Sequence, residues 1–328
     1  MLLIKNTINE HVSSDVTNEF ESVILSDENV IPATISKNAY KVAFFVFRVA
    51  RKFGVSTILK TKKYYLKNPI EDSKHLFTVM MGLDENKYKE FGFTTNHCRS
   101  IYLFDAWPKD YDKIIHFVEK YKINFAFITA RKSAEELNKR TNKTTFFWIP
   151  EGIKKDEYKH KPYAEKNIDV LAIGRKYDLY HNQIKKDLEK SNIKYLYEKQ
   201  KGEIIFPTRE EFVDGLADAK ISICIPSNIT HPERSGNVET MTIRYLQSIL
   251  SKCLIVGHAP AEMIDLFGYN PVIEIDYRNP TGQIINILNN YESYIPFVEK
   301  NYASVIEKHT WEHRWNQIKN IYSNYQIR

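Results

Sequence analysis

At 328 residues, 43% of them hydrophobic, with 21 Tyr, 18 Phe and only 11 Gly, the chain suits two domains of about 150 residues and is too apolar to stay disordered. The formal net charge of +6 is uneven: residues 1–150 carry 23 Lys and Arg against 17 Asp and Glu, and residues 151–328 carry 24 of each. The longest strictly apolar run, Val42 to Phe47, is far short of the roughly 20 residues of a membrane span. The opening MLLIKNTINEHVSSD lacks the charged, apolar and small-residue order of a secretion signal, so a cytoplasmic chain is expected. Three cysteines, Cys98, Cys224 and Cys253, have no metal-ligand spacing and fit reduced thiols in a core.

Between Glu28 and Glu71 there are nine basic residues and no acidic one. Within residues 40–67, Lys41, Arg48 and Lys52 fall on one helical face and Val42, Val46, Val49 and Phe53 on another, with Tyr64 and Tyr65 following. Such a helix either lies on an anionic membrane at about 1 kcal/mol per basic residue or is a core helix with a solvated face. No nucleic-acid motif accompanies the charge, so nucleic acid is not an expected partner.

Strand-like apolar runs then alternate with amphipathic helices. HLFTVMMG, SIYLFDA, INFAFIT and TTFFWIP read as strands, with PKDYDKIIHFVEKY and ARKSAEELNKR as helices between them. This predicts a parallel sheet buried on both faces. The pattern restarts after WIPEGI, residues 148–153: IDVLAIG, KISICIP, CLIVGHA and NPVIEID read as strands and YHNQIKKDLEKS as a helix. Thr208 and Glu211 have capping-box spacing ahead of another helix. The expected fold is α/β, two doubly wound domains facing each other across a cleft where ligands bind beyond the strands' carboxyl ends.

Gly174 and Arg175 follow the first strand of the second half; they either let a diphosphate approach the backbone or form an ordinary turn. Neither a GxGxxG nor a Walker loop is present. After KISICIP comes a polar loop with His231, Glu233, Arg234 and Gly236, then ETMTIRYLQSILSKCLIVG, which predicts a helix starting near Val238. Eight residues place Glu239 and Gln247 about 80° apart on that helix. Its N-terminus suits a diphosphate, with Glu239 either a ligand carboxylate or a favourable first-turn residue. Arg244, one turn on, is either a phosphate contact or a surface charge. Asp105 ends a strand of the first half and either meets the acceptor, as ligand or base, or caps the next helix beside Pro108. The ten histidines show no metal-ligand spacing.

The second half, residues 148–328, resembles the nucleotide-binding domain of GT-B glycosyltransferases, in particular glycosyltransferase family 4 and CgeB-like proteins. Glu239, TMTIRYL and Gln247 fall in the frame of their Glu-x7-Glu signature, ADAKISICIPS resembles the strand ending at Pro226 and Ser227, IGRK resembles the Gly-Arg turn, and HTWEHRW resembles the C-terminal helix. The resemblance implies an acceptor domain at 1–150, a nucleotide-sugar domain at 151–310 and a helix at 311–328 crossing back to the first domain. It implies a glycosyltransferase with a UDP- or GDP-sugar donor, a glycan or lipid-linked acceptor in surface-glycan synthesis, retention of configuration and no metal or other cofactor. In that frame Arg175 with Gly174 receives the diphosphate and Arg244 adds to it, Ser227 belongs to the donor-binding set, Glu239 orients the sugar, Gln247 the ribose, and His258 lines the sugar pocket. Three departures stand out: Gln247 replaces the second Glu, Lys252 replaces a usual Gly, and the longer loop lets Glu233 compete for the first-Glu role. A catalytically silent glycan- or protein-binding GT-B domain and a sugar-nucleotide epimerase are the alternatives.

Overall fold

The computed structural model describes residues 1–4, 15–33, 75–83, 98–174, 176–200 and 203–325. The expected basic helix within 40–67 lies outside them, as does Arg175. Among the described residues no helix is long and apolar enough to cross a membrane.

Two parallel sheets carry the fold. The first holds β1 (Leu2–Ile4), β2 (Ile31–Ala33), β3 (His75–Met80), β4 (Cys98–Leu103), β5 (Phe125–Ile128) and β6 (Thr145–Trp148) in the order β2-β1-β3-β4-β5-β6. The second holds β7 (Ile168–Ala172), β8 (Tyr195–Tyr197), β9 (Ala219–Cys224), β10 (Leu254–Gly257) and β11 (Ile273–Glu274) in the order β11-β10-β9-β7-β8. In both sheets the chain steps to one side of its first strand and then to the other, which leaves a switch point between β1 and β3 and another between β7 and β9.

The continuous apolar runs are explained by burial on two faces. Phe77, Tyr102 and Phe127 enter one core with Phe20 of the helix Asp15–Leu25, while Met80, Ile101, Ala126 and Ile128 enter another with Ile114 and Phe117 of the helix Tyr111–Lys120. Alternate residues of one strand thus serve opposite layers. The helix Arg209–Ala217 starts on the expected capping box, Thr208 with Glu211. Cys98, Cys224 and Cys253 are buried free thiols.

The C-terminal helix Trp311–Asn324 leaves the second sheet's layer and packs on the first. Trp311 stacks on Phe20 at 4.4 Å and the Trp315 indole donates to Asp27 at 3.0 Å. The crossing passes the junction at Gly152, where a Cβ would stand 2.9 Å from the backbone of Thr310 and Trp311. Only a glycine admits that approach.

One expected element is corrected. The helix after the polar loop spans Ile243–Leu250, with Thr242 as its N-cap. Residues Val238 to Met241 are not helical, so Glu239 and Gln247 do not share a helix.

Candidate functional site

The carboxyl ends of the two sheets face each other across a cavity of about 630 Å³. From the first sheet, Asp105 and Trp107 follow β4 and Thr129 follows β5; from the second, Gly174 follows β7, and Arg244 and Gln247 project from the helix Ile243–Leu250. These strand ends are where an open parallel sheet offers loops and helix starts to a ligand.

Gly174 and Arg244 meet here. Gly174 has φ +74°, and a Cβ on it would come 2.9 Å from Arg244 Nη2. Arg244 therefore brings a guanidinium to the bare turn after β7. A fixed planar fork of donors over an uncovered backbone suits an oxyanion such as a diphosphate.

The helix start is shared with a protein carboxylate. The N–H of Ile243 donates to Glu151 Oε2 at 2.5 Å, and Glu151 is buried and lines the cavity. A carboxylate at that end is favoured by the helix dipole. Glu151 is the Glu of WIPEGI, at the interdomain junction; the sequence marks the turn but not the reach of this side chain into the cavity.

Gln247 is buried, lines the cavity and donates from Nε2 to Tyr158 Oη at 2.9 Å. Asp105 also lines the cavity. It forms an ion pair with Arg234, whose guanidinium lies 5.3 Å from the Trp107 ring. No Asp105 cap is seen on the following turn, Pro108–Asp110, whose N-cap is Trp107 without a side-chain bond. Arg234 thus ties the polar loop of the second domain to the first.

The other expected residues lie elsewhere. Glu239 is exposed, is absent from the lining, and accepts from Asn228 Nδ2 at 3.3 Å and from the Ala261 N–H at 3.1 Å. Glu233 is exposed and also absent from the lining. Ser227 is buried at the start of the short helix Ser227–Thr230, its hydroxyl without a partner among the described residues. His258 is engaged at both ring nitrogens, with Glu274 at 2.8 Å and Tyr277 at 2.6 Å, and does not line the cavity.

Thr240 lines the cavity through a route the sequence does not signal. Its hydroxyl and the Met241 N–H donate to Glu262 Oε1 at 2.9 and 2.8 Å, while Oε2 of the same carboxylate accepts from the Arg131 N–H of the first domain at 3.0 Å. Burial pushes the Glu262 carboxyl up to about 7 in spite of these donors.

No protein-family model and no curated protein matches the chain. Solved structures do. Anabaena HepE, crystallised with UDP and glucose, superposes with a TM-score of 0.60 at 8% identity, covering 98% of this chain and 99% of that one. Thermosynechococcus elongatus sucrose-phosphate synthase gives a TM-score of 0.60 at 10% identity, covering 98% of each. TarM gives 0.49 at 14% identity over 77% of this chain and 56% of its own, so this chain spans just over half of TarM. The fold is that of the GT-B glycosyltransferases.

Proposed function

We propose that the protein is a glycosyltransferase that moves a sugar from a UDP- or GDP-linked donor to a glycan or lipid-linked acceptor in surface-glycan synthesis. One observation carries the reading: in a GT-B fold, an arginine lies on a bare glycine turn at the second sheet's switch point, inside an interdomain cavity large enough for a nucleotide sugar. HepE, of the same fold, is crystallised with UDP-glucose, which supports a UDP-linked donor here.

In this mechanism the departing diphosphate gains charge in the transition state and meets Arg244 at the Gly174 turn, with Arg175 as the further donor expected from the sequence. Gln247 holds the ribose, and Asp105 with Trp107 faces the acceptor from the first domain. Retention of configuration without a metal follows from the resemblance to the Glu-x7-Glu families. The basic segment 40–67 would bring a lipid-linked acceptor to the site at an anionic membrane; sedimentation that ignores lipid charge would remove that part.

The test is turnover with a panel of UDP- and GDP-sugars and candidate acceptors. Arg244→Ala is expected to lower kcat/KM by about 100-fold, the usual cost of one transition-state donor. A second reading, a silent GT-B domain that binds a glycan, is favoured by the absence of Glu239 from the cavity lining. Binding of donors with no turnover on any acceptor would select it.

A further inference from the structure

A chain of three side chains fixes what Gln247 can offer a ligand. Glu19, buried on the helix Asp15–Leu25, accepts from Arg209 Nη2 at 2.6 Å, Tyr158 Oη at 2.7 Å and the Lys154 N–H at 3.1 Å. Burial raises the Glu19 carboxyl above its ordinary value, and Arg209, Tyr158 and the Lys154 N–H offset this only in part; with three donors converging on the carboxylate, a protonated Glu19 would turn an O–H toward one of them. Tyr158 has a single proton, and it is given to Glu19. Burial and the Glu19 charge push the phenol well above its ordinary value, so that proton stays. Tyr158 Oη can then only accept from Gln247, and it does so from Nε2 at 2.9 Å. An amide that gives one N–H to Tyr158 is held in a single orientation, with its carbonyl oxygen and its second N–H left to present.

We infer that Tyr158 and Glu19 are positioning residues that hold the Gln247 amide in one orientation, Nε2 on Tyr158, in the cavity lining where it meets a hydroxyl of the donor's ribose, and that they exclude glutamate at 247. The naming of the hydroxyl rests on the nucleotide-sugar reading; the polarity of the chain does not. A carboxylate at 247 has no proton to give, so Tyr158 would stand between two carboxylates with one proton. This accounts for an amide where the families that the sequence resembles carry Glu: the neighbours, not the ligand, demand it. Reversing the polarity should make room for the carboxylate, because an amide at position 19 can donate to Tyr158 and leave the phenol O–H for a carboxylate at position 247.

Thermal melting of the full chain at pH 8 decides the polarity without any ligand. Gln247→Glu is expected to melt several degrees below wild type, with the deficit shrinking at pH 5, and adding Glu19→Gln is expected to recover part of it. Equal melting of Gln247→Glu and wild type, or no recovery in the double variant, overturns the inference. Calorimetric titration then compares UDP with its 2′-deoxy and 3′-deoxy analogues. Wild type is expected to prefer UDP by roughly two- to tenfold over the analogue lacking the contacted hydroxyl, the range of one hydrogen bond. Tyr158→Phe should lose that preference while still binding UDP. An unchanged preference in Tyr158→Phe counts against the inference, whereas failure of wild type to bind UDP or GDP counts against the donor reading alone.

Discussion

Arg244 Nη2 would stand 2.9 Å from a Cβ at Gly174, and Gly174 has φ +74°. Two independent costs therefore fall on Gly174→Ala. The left-handed backbone disfavours alanine by about 1 to 2 kcal/mol, and the methyl displaces the guanidinium that the proposed diphosphate meets. Unfolding in urea is expected to show the first cost and calorimetry with UDP the second, as an affinity loss of about tenfold, the measure of a displaced charged donor at roughly 1.5 kcal/mol. Arg244→Ala removes the steric conflict, so the two substitutions should be less than additive, as contacting residues generally are.

How much of this is legible in the sequence depends on which face each residue serves. The long apolar strands and the capping box at Thr208 have local signals, because periodicity and cap spacing are set within a few residues, whereas the C-terminal crossing is expected only through the resemblance carried by HTWEHRW. β1, β2 and β8 have three residues each, too few for a pattern to emerge. The start of the helix at Ile243 escapes a local reading because Thr242 makes no side-chain cap and the Ile243 N–H is taken by Glu151, 92 residues away. Lys252 is the opposite case. It stands where the families that the sequence resembles carry Gly and adopts φ +51°, just past the C-cap at Ser251, so the departure leaves the left-handed turn in place. Its ammonium reaches Glu299 at 2.7 Å. Since glycine and alanine at 252 both remove that contact, their comparison isolates the backbone: Lys252→Gly is expected to be more stable than Lys252→Ala by about 1 kcal/mol in urea unfolding.

Glu262 holds the cavity-lining Thr240 segment to the first domain through the Arg131 N–H. Three donors favour its charged form and burial opposes it; burial wins, raising the carboxyl from an ordinary 4.5 to about 7. For a raised acid the protonated form is the one the fold prefers. Its stabilising contribution is complete below about 4.5 and is lost as pH climbs through 7. Carbon-13 NMR of the Glu262 carboxyl should show a midpoint near 7 in the folded chain. Relative to Glu262→Gln, wild type should lose on the order of 3 kcal/mol between pH 4.5 and 8. A midpoint near 4.5 would mean that the backbone donors, not burial, control the group.

His309 titrates with the opposite sign over an overlapping window. Its ring stacks on Phe267 at 4.5 Å, Nδ1 lies 3.0 Å from Arg314 Nη2, and burial with the Arg314 charge pushes it down to about 3. Arg314 needs an acceptor there, since its other bonds go to the Glu151 and Lys308 carbonyls; neutral imidazole supplies one and imidazolium cannot. The stabilising contribution is therefore complete above the unfolded value of about 6.5 and falls away as pH drops below it. Between pH 6.5 and 5 the loss should reach about 2 kcal/mol relative to His309→Gln, which keeps an acceptor but does not titrate. His309 sits two residues before Trp311, which is fully buried against Phe20. Acid should therefore loosen the crossing helix first, seen as a red shift of tryptophan emission that precedes loss of far-ultraviolet ellipticity and is delayed in His309→Gln.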